Sequence, residues 1–271
     1  MMKHALTWIT ASRRSGAGKA LGLIAGYLLD TPPGDVPLDT LLGTTAELVT
    51  LFRRGRMVPR DGARPQVVKT DFLPEAEVLR PYREVTGKVV YLVRDPRDIV
   101  SAVVRTTKSR PEDREQLAVK AIGRLLTESP PGKYQGNWIE HAAGWTSLDR
   151  LRVNFPNMTD ICVVRFEDLR DDPAAELHRM IDALGLPDEV DADRIKRAVD
   201  GWMPENMRET PIAEELPGIS AFREPRRAVV ESPERELALS EIGPAAVEAY
   251  ERRLQEDAEF AALVKRFGYG S

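Results

Sequence analysis

The stretch Lys88-Val-Val-Tyr-Leu-Val-Arg94-Asp95-Pro96-Arg97-Asp98-Ile-Val-Ser101 decides how this chain is read. Lys88 to Val93 is a short apolar run, the pattern of a buried strand. It ends on Arg94, and a helix begins across Asp95-Pro96. The aspartate offers an oxygen to free helix N–H groups, and the fixed φ of proline suits a first helical turn. An arginine at the carboxyl end of a parallel strand, beside a helix N-terminus, is placed to hold a phosphate or sulfate. The stretch therefore predicts an anion-handling α/β protein.

Other apolar runs repeat the pattern on both sides. Strands are expected over Ala5 to Ala11, Gln66 to Lys69 and Asp160 to Arg165, besides Lys88 to Val93. Helical periodicity follows each of them, over Lys19 to Leu29, Glu75 to Thr86, Arg97 to Thr107 and Pro173 to Leu184. This alternation implies βαβ units and a parallel sheet with helices on both faces. Ligands of such sheets bind beyond the carboxyl ends of the strands, so the loops after Ala11, Lys69, Val93 and Arg165 matter most. Further helices are expected over Glu112 to Glu128, Trp138 to Asn154, Asp191 to Gly201 and Pro244 to Phe267. Residues 205–234, rich in Pro, Glu and Arg, read as a mobile lid or acceptor loop within a single domain of residues 1–271.

Composition narrows the function. The chain has 271 residues, 42% hydrophobic and 30% charged, with a net charge of −4. That balance supports a substantial core and argues against a general nucleic-acid binder, which needs a basic face. No run approaches the ~18 apolar residues of a membrane span. Met1 to Ala11 does not read as a signal peptide. The single cysteine, Cys162, cannot form an intrachain disulfide, and a cytoplasmic location is expected.

After the first strand comes Ser12-Arg13-Arg14-Ser15-Gly16-Ala17-Gly18-Lys19-Ala20. Small residues let successive backbone N–H groups point at one anion, and the following helix adds its positive end. Gly18-Lys19 suggests a phosphate loop, but Arg13 replaces the first glycine of the Walker pattern and Ala20 its Ser/Thr. An ordinary glycine-rich turn is the alternative.

At this point the chain resembles the sulfotransferases that use 3′-phosphoadenosine 5′-phosphosulfate (PAPS), most closely the bacterial branch that sulfates glycopeptide antibiotics. Trp8 to Gly16 is similar to that family's phosphosulfate loop. Val68-Lys69-Thr70-Asp71-Phe72 sits where the family has its "KTH" segment. Tyr82-Arg83-Glu84 through Ser101 resembles the block that binds the 3′-phosphate. Gly144-Trp145, Pro156-Asn157, Val164-Arg165-Phe166-Glu167-Asp168-Leu169, Asp172-Pro173 and Phe267-Gly268-Tyr269 follow in the family's order. The resemblance implies a P-loop-NTPase-like sulfotransferase fold. It also implies in-line transfer of a sulfonyl group from PAPS to a hydroxyl or amine of a small molecule, such as a bacterial secondary metabolite. No metal is expected.

Carried over residue by residue, Arg94 matches the 3′-phosphate arginine, and Ser101 falls one residue before the matching serine. Arg14 replaces the loop lysine, with planar forked geometry. Arg13, Ser15 and Gly16 belong to the same loop, Ala17 and Gly18 replace polar positions, and Lys19 replaces a tryptophan of the adenine site. Phe166 replaces a tyrosine. Arg223, Arg226 and Arg227 are candidate closing cations. Asp71 stands where the family has its catalytic histidine, and the expected catalytic set is Asp71, Arg14 and Lys69. A carboxylate is a weak base for an alcohol, so two rivals stay open: a kinase-like nucleotide-dependent transferase, and a non-catalytic binding protein on the same scaffold. His4, His141 and His178 are scattered and read as surface or packing residues, and Glu167-Asp168 as a cap for the next helix. The acceptor is expected to meet residues 30–64, 106–136 and 205–234. A homodimer is the default assembly on symmetry grounds.

Overall fold

The computed structural model describes residues 6–58, 66–107, 110–126, 135–185, 189–203 and 238–270. Among the described residues five parallel strands form one sheet: β1 (Leu6–Ala11), β2 (Thr45–Glu47), β3 (Gln66–Thr70), β4 (Thr86–Val93) and β5 (Asp160–Arg165). Their spatial order is β2-β3-β1-β4-β5. Every pairing is parallel, so all five carboxyl ends lie on one edge.

The strand residues alternate between two cores. Trp8, Val68, Val89, Tyr91 and Val93 enter one apolar cluster, whereas Ile9, Val67, Val90, Leu92 and Val164 enter the other. A sheet buried on both faces gives near-continuous apolar strands, which is why β4 was legible. Helices α1 (Ala17–Leu29), α9 (Pro173–Leu184) and α10 (Ala192–Trp202) cover one face. Helices α4 (Pro96–Thr106), α5 (Arg114–Leu126), α6 (Trp138–Trp145) and α7 (Leu148–Asn154) cover the other, with three C-terminal helices over Leu239–Ile242, Pro244–Glu256 and Ala258–Arg266. The short helices α2 (Leu38–Thr44), α3 (Leu48–Arg53) and α8 (Phe166–Asp171) flank the strand ends.

Helix starts follow local chemistry. The Asp95 carboxylate accepts from Arg97 N and Pro96 opens α4, as its sequence predicts. Asn137 and Glu140 form a reciprocal capping box on α6. The start of α9 is a correction: Asp172, not Glu167 or Asp168, accepts from Ala175 N, because α8 intervenes.

Other boundaries also differ from the sequence reading. Glu77–Val85 is a 3₁₀ helix, not an α-helix, and it contains Pro81, which removes a donor. The expected helix over Trp138 to Asn154 breaks at Thr146, where Ser147 caps a new helix by accepting from Arg150 N. The expected helix from Pro244 breaks at Asp257, which caps the last helix by accepting from Phe260 N. Helical periodicity runs through such breaks, but a side-chain acceptor ends one helix by starting the next. Strand β2 was not expected; three residues are too few to show a period. The 205–234 lid, with Arg223, Arg226 and Arg227, lies outside the described residues. No described helix is long and apolar enough to cross a membrane.

His141 packs inside this fold rather than on its surface. It is 1% exposed, its Nδ1 lies 3.3 Å from the Tyr91 hydroxyl, and its ring lies between Tyr91 and Trp145. Burial pushes its pKa down to about 3, the weaker contributions being a hydrogen bond with the Asp71 backbone, which opposes that shift, and the Lys69 charge. The unfolded chain binds this proton near pH ~6.5 and the folded chain does not, so folding stability falls as pH drops from ~6.5 toward 3. The residue should contribute up to ~1.4 kcal/mol of that loss per pH unit. His141→Phe should flatten the pH dependence of denaturant unfolding in that window. An unchanged slope would show that this ring does not govern it.

Candidate active site

The strand order places a reversal at β1 and β4. The chain leaves β1 toward β2 on one side, and leaves β4 toward β5 on the other. Such a switch point opens a crevice at the carboxyl edge. The loop after β1 carries Ser12 to Gly16, and the loop after β4 carries Arg94 and Asp95.

The first loop is built as a turn for an anion. Ser15 N donates to Ser12 O at 3.2 Å, and the two hydroxyls lie 2.8 Å apart. Arg14 has a φ of 66° and Gly16 a φ of 90°. The left-handed region costs a non-glycine residue about 1 kcal/mol, so the Arg14 conformation is held by its surroundings. Gly16 is required twice over: a Cβ there would enter the Phe166 ring, and its φ suits glycine. Gly16 also precedes α1 with no side-chain cap and no acid in the first turn. That turn therefore has no internal carboxylate at its positive end, and its Lys19 N donates to Gly16 O at 2.9 Å.

Arg94 ties this loop to the rest of the edge. Its guanidinium donates to Arg14 O at 2.9 Å and stacks on the Phe166 ring at 4.3 Å. The plane of an arginine, rather than its charge alone, makes both contacts possible. Burial pushes Arg94 down to about 10, opposed by Asp98 and then Glu167, so it stays charged at neutral pH. Its surroundings are more acidic than the sequence suggested. Glu167 accepts from Asp95 N at 3.1 Å and from the Tyr269 hydroxyl at 2.8 Å. Asp98 has its pKa raised by burial and then by Asp95. Arg97 is bound to Asp95 and donates to Tyr269 O. The terminal residues thus close over the start of α4, and Arg94 is the cation that faces the loop.

The other predicted residues divide. Arg13 and Arg14 are exposed, and the Arg14 guanidinium donates to the Thr106 hydroxyl at 2.7 Å. Ala17, Gly18 and Lys19 are buried at the start of α1. Ser101 is fully buried, and its hydroxyl has no hydrogen-bond partner among the described residues. Arg83 caps the end of α7 by donating to the Val153 and Asn154 carbonyls, so its role is structural.

At the end of β3, Lys69 and, one residue past the strand, Asp71 lie on one side, as an i, i+2 pair in extended chain does. The Lys69 ammonium lies 2.9 Å from Asp71 and 2.7 Å from Glu47. Burial depresses the pKa of Lys69, but Asp71 and then Glu47 more than compensate, leaving it raised and the ammonium charged. Lys69 is therefore a clamped cation, not a proton acceptor. Glu47 was missed because its segment carries no strand period and was assigned no element. Parallel register puts it directly opposite Lys69. Among the described residues no cluster of His, Cys, Asp or Glu could hold a metal ion.

This arrangement can hold a polyanion between the β1 and β4 loops and present a carboxylate from beyond β3. The Sulfotransferase domain model matches residues 61–246. Sulfotransferase 2A6 of Mus musculus is 28% identical over 132 residues, which is 45% of this chain and 41% of that protein. Sulfotransferase 2A2 of Rattus norvegicus is 32% identical over 109 residues, 38% of this chain and 34% of that protein. The matched region thus spans less than half the length of these curated relatives. A retinol dehydratase solved with androsterone and the inactive cofactor PAP superposes with a TM-score of 0.53 at 14% identity, covering 94% of this chain and 82% of that one. Mouse sulfotransferase SULT7A1 complexed with PAP gives the same TM-score and identity, covering 98% and 90%. At such identity the likeness is one of fold. With the family model matching well over half its residues, this chain belongs to the sulfotransferase domain family.

Proposed function

We propose that this protein transfers a sulfonyl group from PAPS to a hydroxyl, or an amine, of a small molecule. The observation that carries this reading is the Arg94 bridge: one buried guanidinium spans the switch point from the β4 loop to the β1 loop. The loop N–H groups, with Arg13, Arg14, Ser15, Gly16, Ala17 and Gly18, receive the phosphosulfate. Arg94 and Ser101 receive the 3′-phosphate, and Phe166 and Lys19 border the nucleotide. The PAP-bound structures that share this fold support PAPS as the donor.

Asp71 takes the proton of the acceptor as its oxygen attacks sulfur in line, and PAP leaves with the bridging oxygen and its charge. Backbone N–H groups and Arg14 stabilise that charge, so positioning and electrostatics supply most of the rate. The neighbour bound to androsterone suggests testing alcohols of that size first, alongside bacterial secondary metabolites.

Thermal unfolding with ligands tests the donor. A ligand at 100 times its Kd stabilises the native state by about 2.7 kcal/mol, an easily resolved rise in Tm. PAP is expected to give such a rise, and ATP with magnesium to give none. Stabilisation by ATP alone would replace this reading with the kinase-like one.

A further inference from the structure

We infer that Glu47 is a positioning residue for Asp71: its buried carboxylate fixes the Lys69 ammonium at the point from which that ammonium orients Asp71. The inference rests on the reading of Asp71 as the base.

Three geometric facts carry it. Register pairs Glu47 with Lys69 across β2 and β3, and Lys69 shares a face with Asp71. The ammonium contacts both carboxylates, at 2.7 Å and 2.9 Å. The other Glu47 oxygen accepts from the Thr50 hydroxyl at 3.0 Å, so α3 locks the glutamate in turn. Side-chain exposure is low for Glu47 and Lys69, at 9% and 7%, and rises to 29% at Asp71, the member open to solvent.

The electrostatics explain why two carboxylates are built around one cation. A buried ammonium with a single partner is costly and forms a neutral pair with it. A carboxylate neutralised one-to-one is a poor proton acceptor, because taking a proton would strand the cation. With Glu47 present, Lys69 keeps a buried counter-charge when Asp71 takes a proton. The cluster carries one negative charge before the proton arrives and none after it. Glu47 thus makes protonation of Asp71 compatible with burial of Lys69. Thr50 extends the support one shell further.

The test reads Lys69 directly and needs no acceptor. The 1H–15N signal of its ammonium, identified by its loss in Lys69→Met, should exchange slowly with water in the wild type. In Glu47→Gln that exchange should quicken about tenfold, the effect of weakening one charge-assisted hydrogen bond. Thr50→Val, which removes only the outer support, should show a smaller change in the same direction and guards against a Glu47 variant that fails to fold. PAP release from PAPS, with water as acceptor, should lose kcat at unchanged KM in Glu47→Gln, and Glu47→Asp should recover part of it. Adding Glu47→Gln to Asp71→Asn should cost no further turnover, because both act through one proton transfer. Unchanged ammonium exchange in Glu47→Gln overturns the inference, and so does an additive loss in the double variant. If Asp71→Asn alone keeps full turnover while the ammonium responds as expected, the error lies in the reading of the base and the positioning role falls with it.

Discussion

Asp71→Asn is expected to lower sulfonyl transfer by about 10²- to 10⁴-fold, the range a positioned general base supplies. PAP binding should be unchanged. Two features make the substitution clean. Asparagine keeps the shape of aspartate, and the Lys69 ammonium retains Glu47 at 2.7 Å as its buried partner. The fold therefore does not inherit a stranded charge, the usual reason why breaking a buried pair costs 3–5 kcal/mol, by the general figure of about that size. His141 does not substitute for the lost base. It is fully enclosed, its ring is neutral down to about pH 3, and it contacts Asp71 through the backbone. The comparison to make is kcat for PAP release, with PAP affinity measured in parallel. Wild-type turnover in the variant would remove Asp71 from the chemistry. Loss of PAP binding would instead reassign Asp71 to shaping the donor pocket.

The contrast between Asp71 and Glu47 also shows what sequence can reveal. Strand β4 and the Asp95-Pro96 start of α4 were legible because burial on both faces and a cap at a fixed offset leave local marks. Strand β5, over Asp160–Arg165, matches the expected bounds although it is a sheet edge with only Cys162 and Val164 buried, because its apolar run is still local. The Arg14 and Arg94 loops could be located from sequence, since charge and small residues at strand ends are local too, and their role toward an anion is part of the proposed function. Glu47 was not legible. It sits on a three-residue strand, and its meaning comes from pairing with Lys69 across the sheet. Nothing within a few residues of Glu47 encodes that. His141 packs, one of the two roles its isolation in the sequence allowed, but its place beside Tyr91 is fixed by packing between α6 and β4. The acids around Arg94 were visible as residues, yet Glu167 reaches Asp95 only because β5 lies beside β4. The bonds joining Tyr269 to Glu167 and Arg97 likewise depend on a terminal segment folding back. Contacts that depend on topology need the topology first.

Arg94→Met should separate PAP from adenosine 5′-phosphate, which lacks the 3′-phosphate. A hydrogen bond to a charged group contributes about 1.5–3 kcal/mol, so PAP affinity should fall roughly 10- to 150-fold. Affinity for adenosine 5′-phosphate should fall far less, and the gap between the two nucleotides should collapse. The variant also loses the Arg14 O bridge and the stack on Phe166, so some loss of stability accompanies it. The nucleotide gap is insensitive to that loss, because both ligands meet the same altered loop. Arg94→Lys supplies the geometric control. A lysine keeps the charge but offers neither the fork nor the plane, so it cannot both donate to Arg14 O and lie over Phe166. PAP affinity in Arg94→Lys should fall between those of the wild type and Arg94→Met. Calorimetric titration of both nucleotides against the three proteins gives the result. A gap that survives in Arg94→Met would move the 3′-phosphate elsewhere and leave Arg94 as a brace for the loop. The acidic surroundings of Arg94 sharpen the expectation. Asp98 and Glu167 already favour its charged state, so a phosphate must compete with them for the guanidinium. That competition should make PAP binding weaken as ionic strength rises, more steeply in the wild type than in Arg94→Met.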